Sequence, residues 1–259
     1  MNLTVLDFEI IENVAVITMN NPPINALTPV FLKDFDQVFH LIDRSDDARA
    51  VLIASKCPDF FSVGDDVTKL REIDDDLIAL QPKAQEMMNT LEALPLPVVA
   101  AINGHALGGG LELALCCDFR FMGEGSGVIG LPEVRLGMIP AFGGTQRLPQ
   151  IIGKTRAFEM MVKGLQIKPD EAKNIGLIND VFPKNELYEK SLNYTKRLAR
   201  QATGAIASIK KCVNTGLTQG FKKGLLMEQK LFKENIVKPD VKEGIDAFLN
   251  GRKPEFTGK

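Results

Sequence analysis

Three consecutive glycines, Gly108-Gly109-Gly110, join a strand-like apolar segment to a helix-like apolar segment. Glycine adopts backbone angles that other residues avoid, and it lets a ligand or a second chain segment approach the backbone closely. The first turn of a helix carries unpaired N–H groups and the positive end of the helix dipole. Because Glu112 lies in that same turn, the run predicts a junction that stabilises a developing oxyanion beside a proton-transfer group.

Strand and helix signals alternate along the first two-thirds of the chain. Four mostly apolar runs predict buried strands, at residues 14–19, 50–54, 98–102 and 119–122. Thr28-Pro29 is a favourable helix start, and a second helix is expected over residues 74–94. A loop is expected over residues 56–66. This β-α-β-α order, with strands apolar throughout, favours an α/β fold whose mostly parallel sheet is covered by helices.

The character of the chain changes after Gly143-Gly144-Thr145. Pro169 begins a short helix that Gly176 is expected to end. Beyond about residue 185 the sequence predicts several helices and few strands, so their apolar stripes must pack on the first region or on a neighbouring subunit. We assign residues 1–190 to a core domain and residues 191–259 to a helical C-terminal region.

Composition excludes several classes of protein. The 31 basic and 33 acidic residues nearly balance, and the absence of a dense basic cluster disfavours nucleic-acid binding. The four cysteines form neither a CxxC pair nor a zinc-ligand pattern, which indicates free thiols in a reducing compartment. The first 20 residues lack a signal-peptide pattern, and no apolar stretch is long enough to cross a membrane. We expect a cytoplasmic protein that binds neither membranes nor nucleic acid.

Three loops follow successive strands, at residues 60–66, 108–110 and 130–133. In open α/β sheets ligands bind beyond the carboxyl ends of the strands, so these loops are candidates for a single pocket. The glycines alone would also serve close packing of helix against strand. Two carboxylates among the three loops keep the ligand-site interpretation open beside the packing interpretation.

Glu112 and Glu133 are the candidate proton-transfer groups. A glutamate in a first helical turn commonly complements the dipole, but the apolar neighbours of Glu112 predict a buried helix in which a carboxyl needs a partner. Glu133 follows Pro132 in a loop-like segment, where solvation is the default. If both line one pocket, repulsion raises one pKa and leaves one proton donor and one acceptor around a water molecule.

The other chemical motifs are weak. His40 falls on an amphipathic helix, and His105 belongs to no recognisable Ser-His-Asp arrangement. HExxH, Walker and GxGxxG patterns are missing. For Gly143-Gly144-Thr145 a helix start is the better interpretation, although a ligand contact is also compatible with it.

The chain resembles the enoyl-CoA hydratase/isomerase (crotonase) superfamily over nearly its whole length. The resemblance is carried by linked motifs in the family's order: residues 21–27 (NPPINAL), 61–67 (FSVGDDV), 101–114 (AINGHALGGGLELA), 117–118 (CD), 131–134 (LPEV), 137–140 (GMIP) and 143–148 (GGTQRL). It implies a crotonase-like spiral of β-β-α units with a C-terminal helical region, trimers often paired into hexamers, and an acyl-CoA thioester as ligand.

The resemblance also implies roles for individual residues. The backbone N–H groups of Asp65 and Gly109 would bind the thioester oxygen, and Glu112 and Glu133 would be the catalytic acid and base. The implied coenzyme A contacts are Ala26, Leu27, Val63, Asp66, Val67 and Thr68. Neither a metal nor a redox cofactor is implied, since coenzyme A enters as part of the substrate.

The presence of both glutamates favours a hydratase that adds water across the 2,3 double bond of a short- or medium-chain 2-enoyl-CoA, giving a 3-hydroxyacyl-CoA. The alternatives are an enoyl-CoA isomerase or another crotonase-type lyase, and a non-catalytic binding homologue. The helical C-terminal third is expected to form trimer contacts and help close the coenzyme A site, with Phe232 and nearby lysines as candidates.

Two positions depart from the family's pattern. Asp65 stands where many hydratases carry alanine, and a carboxylate facing an enolate would repel it. We therefore expect the Asp65 side chain to point away from the thioester. Thr68 stands where some relatives carry lysine, which puts one contact with a coenzyme A phosphate in question.

Overall fold

The computed structural model describes residues 3–65 and 75–258. The strands are β1 (Leu6–Ile11), β2 (Val14–Met19), β3 (Ala50–Ser55), β4 (Phe60–Ser62), β5 (Val98–Ile102), β6 (His105–Leu107), β7 (Phe119–Gly123), β8 (Ile129–Gly130), β9 (Gln166–Ile167) and β10 (Asp180–Phe182). The helices are α1 (Pro29–Asp43), α2 (Asp75–Ala93), α3 (Gly109–Leu115), α4 (Gly144–Ile152), α5 (Lys154–Lys163), α6 (Pro169–Asn174), α7 (Leu187–Ala199), α8 (Thr203–Gln219), α9 (Phe221–Asn235) and α10 (Pro239–Leu249), and a 3₁₀ helix spans Glu133–Leu136.

The larger sheet has six strands in the order β1-β2-β3-β5-β7-β10. The β1–β2 pair is antiparallel and the remaining pairs are parallel. Ala15 and Ile17 of β2 contribute to the main core, whereas Val14 and Val16 belong to a second cluster on the opposite face. Because β2, β3 and β5 are buried on both faces, their residues are mostly apolar. All four predicted strands are confirmed.

The smaller sheet has four short strands in the order β4-β6-β8-β9. Three times in succession the chain adds one strand to the larger sheet and the next strand to the smaller sheet: β3 and β4, β5 and β6, and β7 and β8. A helix follows each of these strand pairs. The predicted α/β spiral of β-β-α units is therefore confirmed. The expected loop over residues 56–66 is wrong at Phe60–Ser62, because a strand of three residues is too short to show a periodic pattern.

Several helix boundaries follow the predicted local signals. Thr28 caps α1, with its hydroxyl accepting from the N–H of Phe31 at 3.3 Å. The second helix covers Asp75–Ala93, within one residue of the expected range at each end. α6 begins at Pro169, and Gly176 has a φ of +78° just beyond its end.

The C-terminal part is helical, as predicted. α7 packs across the larger sheet, with Leu187 and Ala199 in the second apolar cluster. This helix spans residue 190, and the division of the chain at that point stays a prediction. α8, α9 and α10 expose large apolar side chains, among them Phe221 at 78% and Phe248 at 84%. Within the described ranges, no helix has the length and hydropathy needed to cross a membrane.

Candidate active site

The glycine run lies where β6 passes into α3. All seven residues of α3 are buried, which confirms the predicted buried helix. A Cβ at residue 110 would lie 2.0 Å from the carbonyl oxygen of Ser62, and one at residue 109 would lie 2.8 Å from Leu27 Cδ1. The glycines therefore do serve close packing. The same packing places the N-terminus of α3 beside β4.

The loop after β4 passes directly over this helix start. Gly64 has a φ of +81°, and a Cβ there would lie 2.5 Å from the backbone nitrogen of Gly109. Asp65, the next residue, is thereby placed close to Gly109. The structure thus brings together the two residues whose N–H groups are predicted to bind a thioester oxygen.

The loop after β2 is joined to the loop after β4. Asn25 is fully buried, and its side-chain amide donates to the carbonyl of Phe61 at 2.9 Å. The N–H of Leu27 donates to the carbonyl of Gly64 at 2.9 Å. These bonds fix the position of the Gly64 turn relative to α3.

The predicted coenzyme A contacts fall in these joined loops or beyond them. Val63 lines a cavity at the end of α3, whereas Ala26 and Leu27 are buried beside it and are not among its lining residues. Asp66, Val67 and Thr68 lie outside the described residues.

Glu112 lines this cavity. The residue is 1% exposed, and its Oε1 accepts from the N–H of Phe142 at 2.8 Å and of Gly144 at 2.7 Å. A Cβ at residue 144 would lie 2.9 Å from that Oε1, so the position requires glycine. The predicted helix start at Gly143-Gly144 is confirmed, but sequence reasoning missed that its backbone binds Glu112.

Arg147 supports the same turn. Its guanidinium donates to the carbonyl of Phe142 at 3.1 Å, to Glu92 at 2.8 Å and to Asn89 at 2.7 Å. Because Arg147 is buried and multiply bonded, it fixes the backbone that binds Glu112. These side-chain contacts cannot be anticipated from the sequence, since Glu92 and Asn89 lie more than 50 positions away on α2.

Glu133 begins the 3₁₀ helix on the other side of the cavity. A Cβ at Gly108 would lie 3.3 Å from Glu133 Oε1, which places this carboxyl beside the glycine run. Its Oε2 is buried and has no hydrogen-bond partner within residues 3–65 and 75–258. A buried polar atom without a partner indicates that a ligand or an ordered water supplies one.

The cavity between these elements has a volume of about 440 Å³. It brings Asp65, Glu112 and Glu133 together with Gly108 and Gly109. The rest of its wall is mostly apolar: Ile24, Val63, Leu107, Pro132, Leu136, Met138, Ile139, Ala141 and Phe142. An apolar cavity with a few convergent polar groups is typical of a small-molecule site.

Burial changes the proton affinity of both glutamates. It raises the pKa of Glu112 to about 7, against the opposing N–H bond from Gly144, and repulsion from Glu133 contributes further. Burial likewise raises the pKa of Glu133 to about 7, with a contribution from the charge of Asp65. Near neutral pH, therefore, the pair can hold one proton between two carboxyls.

The expectation that Asp65 points away from the acyl pocket is wrong. Asp65 lines the cavity, and its carboxylate is close enough to raise the pKa of both Glu112 and Glu133. Burial raises the pKa of Asp65 itself to about 6. The repulsion that motivated the expectation is reduced whenever this carboxyl keeps its proton.

A family model described as enoyl-CoA hydratase/isomerase matches residues 9–259. The chain belongs to this family. A Bacillus subtilis (strain 168) relative named "Probable enoyl-CoA hydratase" is 36% identical over 249 residues, covering 95% of this chain and 96% of the relative. The enoyl-CoA isomerase/hydratase fer4 of Mycosarcoma maydis is 36% identical over 243 residues, covering 91% and 89%.

Solved structures of the enoyl-CoA hydratase/isomerase family have the same fold. The crystal structure of an enoyl-CoA hydratase from Geobacillus kaustophilus HTA426 gives a TM-score of 0.95 at 36% identity, covering 100% of this chain and 98% of that one. An enoyl-CoA hydratase from Bacillus anthracis gives a TM-score of 0.93 at 32% identity, covering 99% and 100%. The crotonase-type architecture is therefore shared along the whole chain.

The histidines lie away from the carboxyl cluster. His40 is exposed on α1, beside Asp36. His105 packs its ring against Phe60, and its Nδ1 accepts from the N–H of Val128 at 3.3 Å. Phe232 is exposed on α9 and does not line the cavity, so its proposed part in closing the site stays a prediction.

The buried charge of Glu112 has a measurable cost to stability. Its pKa in the folded protein, about 7, lies above the ordinary value of 4.5. Between these values the folded state binds more protons than the unfolded state, so stability falls as pH rises through this window. Glu112→Gln keeps an oxygen for the N–H groups of Phe142 and Gly144 and removes the charge. We expect it to raise the free energy of unfolding at pH 8 by up to about 3 kcal/mol.

Urea unfolding at pH 5 and pH 8 measures this effect. The gain should be much smaller at pH 5, where Glu112 keeps its proton in the folded state. Glu243→Gln is the matched control, because a hydrogen bond from Arg252 lowers the pKa of Glu243 to about 2 and its loss should not stabilise the protein. An equal gain for Glu112→Gln at both pH values would contradict the assignment.

Proposed function

We propose that the protein is an enoyl-CoA hydratase, which adds water reversibly to the 2,3 double bond of a 2-enoyl-CoA. The observation that carries the proposal is the convergence of Glu112 and Glu133 on one cavity beside the Gly109 helix start. Two carboxyls that can share one proton match a reaction that removes a proton from water and delivers one to carbon.

In the proposed reaction the thioester oxygen lies between the N–H groups of Asp65 and Gly109. Charge develops on this oxygen when water attacks C3, and each donor removed from an oxyanion site costs about 3–4 kcal/mol in other enzymes. The N-terminus of α3 adds the favourable end of its dipole. The glycines of the run allow the substrate to approach the backbone.

The environments of the two glutamates suggest their roles. Glu112 accepts two backbone hydrogen bonds, which favour its ionised form, so it is assigned the removal of the proton from water. The water oxygen bonds to C3, and the π electrons of the 2,3 double bond move into the enolate. Glu133, whose Oε2 is buried without a partner, is assigned the delivery of its proton to C2. After the reaction Glu112 is protonated and Glu133 is ionised. A proton transfer from Glu112 to Glu133 restores the starting state.

This chemistry needs neither a metal nor a redox cofactor, because proton transfer and oxyanion binding carry it. Coenzyme A takes part as the carrier of the acyl group. The apolar wall and the cavity volume of about 440 Å³ support a short- or medium-chain acyl group.

The test is loss of the conjugated-thioester absorbance when crotonyl-CoA is mixed with the protein, with product identified as 3-hydroxybutyryl-CoA. A 3-enoyl-CoA assayed in parallel distinguishes isomerisation. Hydration of crotonyl-CoA or a medium-chain 2-enoyl-CoA is the expected result. Movement of the double bond of the 3-enoyl-CoA without hydration would show that the protein is an isomerase instead. No turnover of any enoyl-CoA would favour the alternative of a non-catalytic binding homologue.

We also propose that the apolar faces of α8, α9 and α10 are covered by other copies of the chain. Their exposed side chains include Phe221, Phe232 and Phe248. Apolar exposure on this scale is unusual for a monomer. Light scattering should give a mass three or six times the chain's 28.4 kDa, and a monomeric mass would rule the assembly out.

A further inference from the structure

Asp65 gives the cavity a third carboxyl that hydration itself does not require. One water molecule is served by Glu112 and Glu133, yet Asp65 lines the same cavity and its charge acts on both. The residue has two separable parts, since its backbone N–H faces the thioester oxygen in the proposed function. Because Asp65 lines the cavity and its charge acts on both glutamates, its side chain lies near the reacting end of an acyl group bound there.

No positively charged group among the described residues stabilises the ionised form of the Asp65 carboxyl. Burial raises its pKa, and no cation in that part of the chain opposes the effect. Arg135 also lines the cavity, but its Nε packs close to Gly164, 2.9 Å from where a Cβ of that residue would be. The neighbouring wall residues, such as Val63 and Phe142, are apolar. A partly buried carboxyl against apolar walls is costly unless a ligand group hydrogen-bonds to it.

We propose that Asp65 determines substrate class, selecting acyl groups that carry a hydrogen-bond donor, a hydroxyl or an ammonium, near the double bond. This inference rests on the proposed function, because that function places the acyl group beside Asp65. A purely hydrocarbon acyl group desolvates the carboxyl without replacing its water. A donor on the acyl group replaces that water, and sites built to hydrogen-bond a substrate hydroxyl discriminate strongly against analogues that lack it.

Binding of saturated thioesters tests the inference without depending on turnover. 4-Hydroxybutyryl-CoA and pentanoyl-CoA are nearly isosteric and differ in a hydroxyl against a methyl group. By titration calorimetry the wild-type protein should bind the hydroxylated thioester about tenfold or more tightly, the effect of one well-placed hydrogen bond. Asp65→Ala should abolish the preference, and Asp65→Asn, which keeps an acceptor oxygen, should retain part of it.

Val63→Ala is the matched control, because Val63 lines the same cavity two residues away and carries no acceptor. It should change the affinities of both thioesters by similar factors. Equal or weaker binding of the hydroxylated thioester by the wild type, or an unchanged preference in Asp65→Ala, would overturn the inference. A preference that depends on Asp65 in a protein that hydrates no enoyl-CoA would support the inference and refute the hydratase proposal, so the two failures are distinguishable.

Discussion

Glu112→Gln and Glu133→Gln each lower kcat for hydration by about 10²- to 10⁴-fold, the usual contribution of a positioned acid or base. Glutamine preserves the shape of the side chain, and at residue 112 it still accepts from Phe142 and Gly144. What it removes is the capacity to take or give a proton. Because the substitutions leave the apolar wall and the thioester donors in place, KM should change much less than kcat.

The two substitutions should also be strongly non-additive. If the glutamates act on one water molecule, the double variant costs little more than the worse single variant. Exposed Glu124, which follows β7 and does not line the cavity, provides the control, and Glu124→Gln should retain wild-type kcat. Wild-type turnover in either Glu112→Gln or Glu133→Gln would remove that residue from the mechanism. If Glu112→Gln is more stable than the wild type at pH 8, as predicted above, its loss of turnover cannot be attributed to unfolding.

Four strands of the larger sheet, β2, β3, β5 and β7, can be predicted from the sequence because they are five or six residues long and mostly buried. The edge strands were not predicted, because β1 is mostly exposed or half-buried and β10 has only three residues. Residues such as Val98 and Ile102 lie in continuous apolar runs that local composition reveals. The smaller sheet was not accessible, because β4, β6, β8 and β9 contain only two or three residues each. Their pairing is specified by contacts between distant segments, such as Phe60 with His105, and no local pattern reports those contacts.

In the candidate site, too, some features can be predicted from local sequence and others depend on contacts between distant segments. The glycine run and Glu112 could be found from the sequence, since a carboxyl among apolar helical residues needs a partner. The identity of that partner, the backbone of Phe142 and Gly144, depends on how α4 begins 30 residues later. The orientation of Asp65 was predicted wrongly because charge repulsion was considered without the burial that raises its pKa.

Gly64→Ala lowers kcat/KM by about 10²- to 10³-fold, the effect of losing one oxyanion donor. The methyl group would lie 2.5 Å from the backbone nitrogen of Gly109 and 2.9 Å from its Cα, both of which are main-chain atoms that no rotamer change can move. Relief requires the loop after β4 to separate from the start of α3. That movement separates Asp65 from Gly109, so two N–H groups that must converge on one oxygen no longer do.

Gly125→Ala distinguishes this clash from simple backbone strain. Gly125 has a φ of +64°, similar to the +81° of Gly64, but a Cβ there meets no atom within 4 Å. In both variants alanine must adopt a left-handed backbone conformation, which lowers the free energy of unfolding by about 1–2 kcal/mol. Only Gly64→Ala also disturbs the start of α3. Thermal unfolding should show a stability loss in both variants, larger in Gly64→Ala because of the added clash, and steady-state kinetics should show a defect only in Gly64→Ala. A kinetic defect of equal size in Gly125→Ala would mean that backbone strain, and not the contact with Gly109, causes the loss of activity.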